Sequence, residues 1–369
     1  LKPNEPDYYK TLIGSEGLYL EDAYRQRKIL RGMEDLFELW GFLPVQTPVF
    51  DYYEIYQNLI DSDAKNQIYR LFDREGDQLL LRNDITLFLA RALGQRMNSL
   101  ELPLRVFYAD NLLRHEDRED ISANEFYQVG AELLGLPGCD GDKEILLLLQ
   151  EILAYLDLPH TQIHVGSRSL ALDALRDLPE KEVHDILQAA ETPDPLGVKD
   201  ILSQTSLPED RKTYLADFFA FMGTLEEAQK LVAFGQDRGY LTAEVDTGFK
   251  ELEDTLSSLE KLQAPIPTVV DFSEIGSQTY YTGLVFRAYT QGVGSPIASG
   301  GRYDHLLERF GTPCPSIGFS LMIRKIDKLA GAQERFQPKV TVAQDGAGTF
   351  EDRFQKIQKL RKEGKPGVL

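Results

Sequence analysis

The sequence predicts an α+β fold, an antiparallel sheet with flanking helices and a helical insertion. Three observations carry this. Two strand-like runs, Leu104–Leu113 and Glu125–Leu134, are joined by a polar loop, 116–124, the pattern of antiparallel neighbours rather than of a helical crossover. Strand pairs precede helices instead of alternating with them. From about Ser167 to Ala264 the pattern becomes mostly helical, and strand character returns afterwards.

Taken in order, Glu21–Trp40 carries Ile29, Leu30, Met33, Leu36, Phe37 and Trp40 at helical spacing and stops at Gly41. Residues 42–48 follow as an extended segment, which Pro44 and Pro48 restrict to an edge or an end. Ile68–Phe72 and Gln78–Leu81 pair around a turn at 73–77, and Thr86–Arg96 is helical. After the strand pair 104–113 and 125–134, Asp142–Leu156 is a strongly apolar helix. In the insertion, Pro193, Pro195 and Pro208 punctuate helices that run from Arg168 to about Ser258. Thr268–Phe272 and Leu284–Tyr289 are strands. Gly292-Val293-Gly294 lacks the lysine and Ser/Thr of a phosphate loop and is expected to turn a hairpin. At the end, residues 339–343 read as a strand and Phe350–Lys362 as a helix, too little to core a domain of their own.

The chain has 369 residues, 42% of them apolar, enough for a large buried core. Its net charge of −19 disfavours broad contact with nucleic acid, and no basic block offsets it. The two cysteines, Cys139 and Cys314, read as free thiols in a reducing, cytoplasmic setting, and the scattered histidines give no zinc pattern. No apolar run has membrane-spanning length. No cofactor is expected.

Several short segments carry chemistry. Asp84 and Thr86 offer a carboxylate and a hydroxyl two residues apart, acceptors suited to an ammonium group; Asp84 alone also reads as a helix cap. On one strand Gln128, Gly130 and Glu132 project to one face, so two polar side chains can line a pocket with room between them. Tyr280 and Tyr281 precede Thr282-Gly283, and Gly300-Gly301-Arg302-Tyr303-Asp304 follows.

Together, over roughly Leu12–Leu329, these segments resemble the histidyl-tRNA synthetase family of class II aminoacyl-tRNA synthetases. The helix ending at Trp40 and the segment to Pro48 resemble motif 1, which builds a homodimer interface. Leu81-Arg82-Asn83-Asp84-Ile85-Thr86 resembles the segment that holds the substrate amino group, with Asn83 in place of a proline. Arg114 and Glu125–Glu132 resemble motif 2, whose arginine binds phosphate and the amino-acid carboxylate. Tyr280-Tyr281-Thr282-Gly283 and Gly300–Asp304 resemble the histidine-specific part. The resemblance thus implies a histidine site at Asp84, Thr86, Arg114, Gln128, Glu132, Tyr280 and Tyr281.

The departures fall on nucleotide handling. Gly276 occupies the position of an arginine that assists the chemical step. The basic motif 2 loop has become Asp117-Arg118-Glu119-Asp120-Ile121-Ser122. An acid about 4–6 Å from a triphosphate repels it by about 1 kcal/mol at an exposed surface and by several when water is excluded. In motif 3, Met322 replaces a glycine, Arg324 a glutamate and Lys325 an arginine, and lysine lacks the planar fork. The pattern is similar to that of the regulatory-subunit family of ATP phosphoribosyltransferase. It implies no catalytic residues of its own, a short-form catalytic subunit as partner, a homodimer through motif 1, histidine as effector and no tRNA. The alternative is a divergent histidyl-tRNA synthetase-like adenylating enzyme, with Arg114, Arg287, Arg302 and Lys325 holding ATP. On this resemblance, residues 1–330 form the synthetase-like domain with an insertion at about 167–264. Residues 331–369 would be the remnant or truncation of an α/β domain.

Overall fold

The chain enters the fold through α1 (Leu20–Leu39), whose stripe of Ile29, Leu30, Met33 and Phe37 is fully covered. In this computed structural model the described residues are 17–60, 62–115, 124–191, 195–242, 245–331, 333, 341–342, 350–363 and 367–368. After Gly41 the chain runs into β1 (Leu43–Pro44), an edge strand, as its proline requires. β2 (Phe50–Tyr52), α2 (Tyr53–Tyr56), α3 (Ser62–Gln67), β3 (Arg70–Phe72) and β4 (Gln78–Leu81) follow. The three strands form a small sheet of their own in the order β2-β4-β3. α4 (Ile85–Gly94) then leads to the long pair β5 (Leu104–Leu113) and β6 (Glu125–Leu134). α5 (Cys139–Leu156) starts three residues before the sequence expectation and buries Ile145, Leu148, Leu149 and Ile152 beneath the main sheet.

β7 (Gln162–Ser167) precedes the helical stretch. Within that stretch lie α6 (Arg168–Ala174), α7 (Glu180–Glu191), α8 (Pro195–Gln204), α9 (Glu209–Phe219), the short β8 (Met222–Gly223), α10 (Leu225–Asp237) and α11 (Val245–Lys261). β9 (Thr268–Asp271), β10 (Leu284–Tyr289), β11 (Ala298–Arg302), β12 (Ser316–Met322) and α12 (Ile323–Gly331) complete the principal body. β13 (Thr341–Val342), α13 (Phe350–Lys362) and β14 (Gly367–Val368) end the chain, with β13 and β14 paired in parallel.

The main sheet has nine strands in the order β1-β5-β6-β12-β11-β10-β7-β9-β8. Its centre, from β5 to β7, is antiparallel throughout, as the sequence predicts. Towards its ends it is mixed: β1 lies parallel to β5, and β9 parallel to β7. Both joins follow long excursions, which a parallel neighbour needs and a hairpin does not. The insertion is tied to this sheet. Ile186, Val198, Leu215 and Phe218 share one core with Ile163 and Phe286, and Phe218 stacks on Phe272 with ring centroids 4.6 Å apart. Gly292, at φ +92, turns the β10–β11 hairpin as expected. No helix among the described residues is long and apolar enough to cross a membrane.

Candidate amino-acid-binding site

The register of the sheet builds the floor of the site. Tyr108, Gly130, Ser320, Ser299, Arg287 and His164 are successive cross-strand partners and share one face. Two residues along each strand, Glu132, Gly318, Gly301, Val285 and Gly166 form a second row on that face. The glycines are sterically required. A Cβ on Gly318 would lie 1.6 Å from Glu132 Oε2, and one on Gly130 would lie 2.5 Å from the Phe319 carbonyl oxygen. Over this floor lies a cavity of about 90 Å³, lined by Asp84, Thr86, Arg114, Gln128, Glu132, Tyr280 and Tyr281 among others. All seven residues expected from the sequence therefore meet at one cavity.

Glu132 is 1% exposed and accepts hydrogen bonds from three hydroxyls: Tyr303 (2.6 Å), Thr86 (2.7 Å) and Tyr108 (3.4 Å). Desolvation outweighs these bonds and pushes its carboxyl up to about 7. Asp84 is also raised, chiefly by desolvation, with the Leu87 N–H and the Arg114 charge opposing. Asp84 Oδ1 caps α4 by accepting from Leu87 N at 3.1 Å, while Oδ2 accepts from the Tyr280 hydroxyl at 3.2 Å. Asp84 thus caps the helix, as its cap reading expects, while its second oxygen faces the cavity. Gln128 donates to Ser320 Oγ at 2.8 Å. Tyr280 packs against Tyr281 and Tyr303, with centroids 5.2 and 5.8 Å away. One buried and one half-buried carboxylate in so small a space favour a cationic or N–H-rich ligand.

Sequence reasoning missed Tyr108, Ser299 and Ser320, whose convergence depends on strand register, and it quoted Tyr303 and Asn83 within motifs without giving either a place in the site. Asn83 is 8% exposed and leaves Oδ1 without a hydrogen-bond partner. Arg114 Nε is likewise buried and unpaired, and its guanidinium lies 5.7 Å from the Phe126 ring. Both residues also line an adjoining outer chamber of about 370 Å³, walled by His184, Leu187, Gln188 and Glu191 of α7.

The nucleotide side is different. Gly276 sits at φ +77, and a Cβ there would lie 2.4 Å from the Tyr281 ring, so a side chain at that position would be strained and would have to displace that ring. Met322 and Lys325 line a third cavity, of about 280 Å³, where Lys325 Nζ donates to the Pro296 carbonyl at 3.0 Å. Arg287 is paired with Glu274 at 3.1 Å. Arg302 faces the opposite side of the sheet. It is 5% exposed and bonded to Asp142 (2.6 Å), Asp304 (3.1 Å) and the Gly138 carbonyl (2.7 Å). The sequence offered Arg302 and Arg287 as ATP ligands; Arg302 is turned away from the cavities, and Arg287, which lines the third cavity, is paired there with Glu274. Asp117-Arg118-Glu119-Asp120-Ile121-Ser122 lies outside the described residues. His164, Asp271 and Glu274 also come together. His164 Nδ1 pairs with Asp271 at 2.9 Å, and Glu274 is held by Arg287 and by the Tyr289 hydroxyl at 2.5 Å, so this group is a closed charge network.

A nine-stranded sheet with this glycine floor and acidic pocket defines a class II synthetase-like core. The family model for histidyl-tRNA synthetase matches residues 14–326. The ATP phosphoribosyltransferase regulatory subunit of Moorella thermoacetica is 31% identical over 85% of this chain and 80% of its own length. That of Desulforamulus reducens is 30% identical over 91% and 84%. The crystal structure of an ATP phosphoribosyltransferase regulatory subunit/histidyl-tRNA synthetase from Bacillus halodurans superposes with a TM-score of 0.82 at 25% identity, covering 99% of this chain and 93% of that one. Histidyl-tRNA synthetase from Nostoc sp. shares the fold, with a TM-score of 0.81 at 20% identity, covering 98% and 85%. The chain belongs to the histidyl-tRNA synthetase-like family of ATP phosphoribosyltransferase regulatory subunits.

Proposed function

We propose that this chain is a non-catalytic subunit that activates the short-form catalytic subunit of ATP phosphoribosyltransferase, at the first step of histidine biosynthesis, and contributes to its feedback inhibition by histidine. Histidine binds over the glycine floor. Its α-ammonium meets Asp84 and the Thr86 oxygen, whose own proton goes to Glu132. The imidazole N–H is received by Glu132, with Gln128 beside it and Tyr280 and Tyr281 as walls. The α-carboxylate faces Arg114. Histidine acts by binding one arrangement of the complex better than another. The observation that carries this reading is the contrast within one site. The residues that would receive an ammonium and an imidazole line one cavity, while position 276 carries a glycine in a strained, crowded conformation where the synthetase pattern has an arginine.

The test is reconstitution with the short-form catalytic subunit from the same source. Turnover is expected to rise when this chain is added and to fall again with histidine. Failure to activate sinks the activating role; activation that histidine does not reverse sinks the sensing role. A divergent adenylating enzyme would instead exchange pyrophosphate into ATP in the presence of histidine. Two of its four candidate ATP-binding cations are committed to ion pairs, and no exchange is expected.

A further inference from the structure

Arg168 opens α6, immediately after β7. Its backbone N–H donates to the Gly283 carbonyl at 3.0 Å, which fixes where the side chain starts. From there Nη1 donates to the carbonyls of both Ile275 and Gly276 at 3.2 Å. The guanidinium therefore rests against the backbone of residue 276, the position at which the synthetase pattern carries its own arginine. It lines the outer chamber together with Asn83, Asp84 and Arg114, three residues that also line the inner cavity. Among the described residues Arg168 makes no direct ion pair; Glu191 acts on it only through space. A half-buried guanidinium held by two carbonyls, with no bonded counter-anion, is suited to receive one.

We propose that Arg168 replaces the absent residue-276 cation and, with Arg114, receives the α-carboxylate of the amino acid bound at Asp84 and Glu132. This inference rests on the histidine reading above. A ligand whose ammonium lies at Asp84 and whose ring lies at Glu132 has only its carboxylate left to point through the shared opening. Asn83, Asp84, Arg114, Ser277 and Gln278 line both cavities, and Arg168 lines the outer one beside them. The helical insertion thus supplies a ligand contact through its first residue. Arg168 is the residue that separates an amino acid from the corresponding amino alcohol.

Calorimetric titration of the purified full chain with histidine and with histidinol, which lacks the carboxylate, tests this. The unaltered chain is expected to prefer histidine. In Arg168→Met, histidine should bind about ten- to a hundred-fold more weakly, the worth of a charge-assisted hydrogen bond, while histidinol is unchanged. Arg168→Lys, which keeps the charge, should recover part of the preference. Equal loss for both ligands would mean that Arg168 only props the 275–276 loop, and an undiminished preference would mean that Arg114 alone holds the carboxylate; either overturns the proposal and leaves the histidine reading standing. An unaltered chain that binds neither ligand overturns both.

Discussion

Glu132 concentrates the chemistry of the pocket in one titrating group. Burial raises its carboxyl to about 7, although three hydroxyls donate to it. The sign follows directly. A carboxyl raised in the folded state adds stability that is fully present below its unfolded value near 4.5 and is lost as pH rises through about 7. A ligand N–H that needs the carboxylate must first displace the proton. Histidine affinity should therefore fall as pH drops below about 7, and Glu132→Gln should remove that part of the dependence. The ligand's own imidazole titration is common to both proteins, so calorimetry of the pair across pH isolates Glu132. A second test concerns Gly276. Its left-handed φ and the nearby Tyr281 ring mean that Gly276→Arg should not restore synthetase chemistry. It should cost about 1–3 kcal/mol of stability by strain and overlap, read from a denaturant melt, with pyrophosphate exchange still absent.

At the level of elements, the Arg302–Asp142 pair fastens β11 to the first turn of α5. Removing one partner leaves a buried charge uncompensated. Arg302→Met should thus destabilise the fold by about 3–5 kcal/mol, and Asp142→Asn in the same background should add little; denaturant midpoints of the parent and the two variants decide. The misplacement of Arg302 shows what the sequence conveys. A cation after two glycines is visible, but its face depends on parity. Gly301 belongs to the floor, so its neighbour Arg302 must point to α5. β5, β6 and β10 have the ranges that their alternation predicts. β7 was missed although Gln162-Ile163-His164-Val165 alternates, because the helical pattern beginning at Arg168 drew the boundary past it. β8 has two residues and gains strand geometry only from its partner β9, so no local signal announces it. The pocket was legible where a segment supplies two groups at fixed spacing, as with Asp84 and Thr86. It was not legible where single residues from separate strands converge, as with Tyr108, Ser299 and Ser320.

At the scale of the whole molecule, the motif 1 region leaves an apolar margin that water should not be covering. Leu39 is 81% exposed, Leu43 65% and Phe50 55%, around the end of α1, β1 and β2. Exposed apolar side chains at this margin are what the motif 1 resemblance would need for a homodimer. The margin is also mechanically close to the pocket. Arg82 is completely buried and donates to the Thr47 carbonyl (2.7 Å), Thr47 Oγ1 (3.0 Å) and the Asn111 carbonyl (2.7 Å), and it pairs with Asp110 at 2.7 Å. The next residues along the chain are Asn83 and Asp84. A dimer contact that fixes the 43–50 segment would therefore also fix the residues proposed to receive the ligand's ammonium. Replacing Leu43 and Phe50 by aspartate should convert a dimer to a monomer in analytical ultracentrifugation, since each new carboxylate would be desolvated on association. The same variant should bind histidine more weakly than the parent, although neither position touches the cavity. Monomers that bind histidine with unchanged affinity would show that the Arg82 tie holds the pocket without help from the interface. A variant that stays dimeric would move the interface away from motif 1.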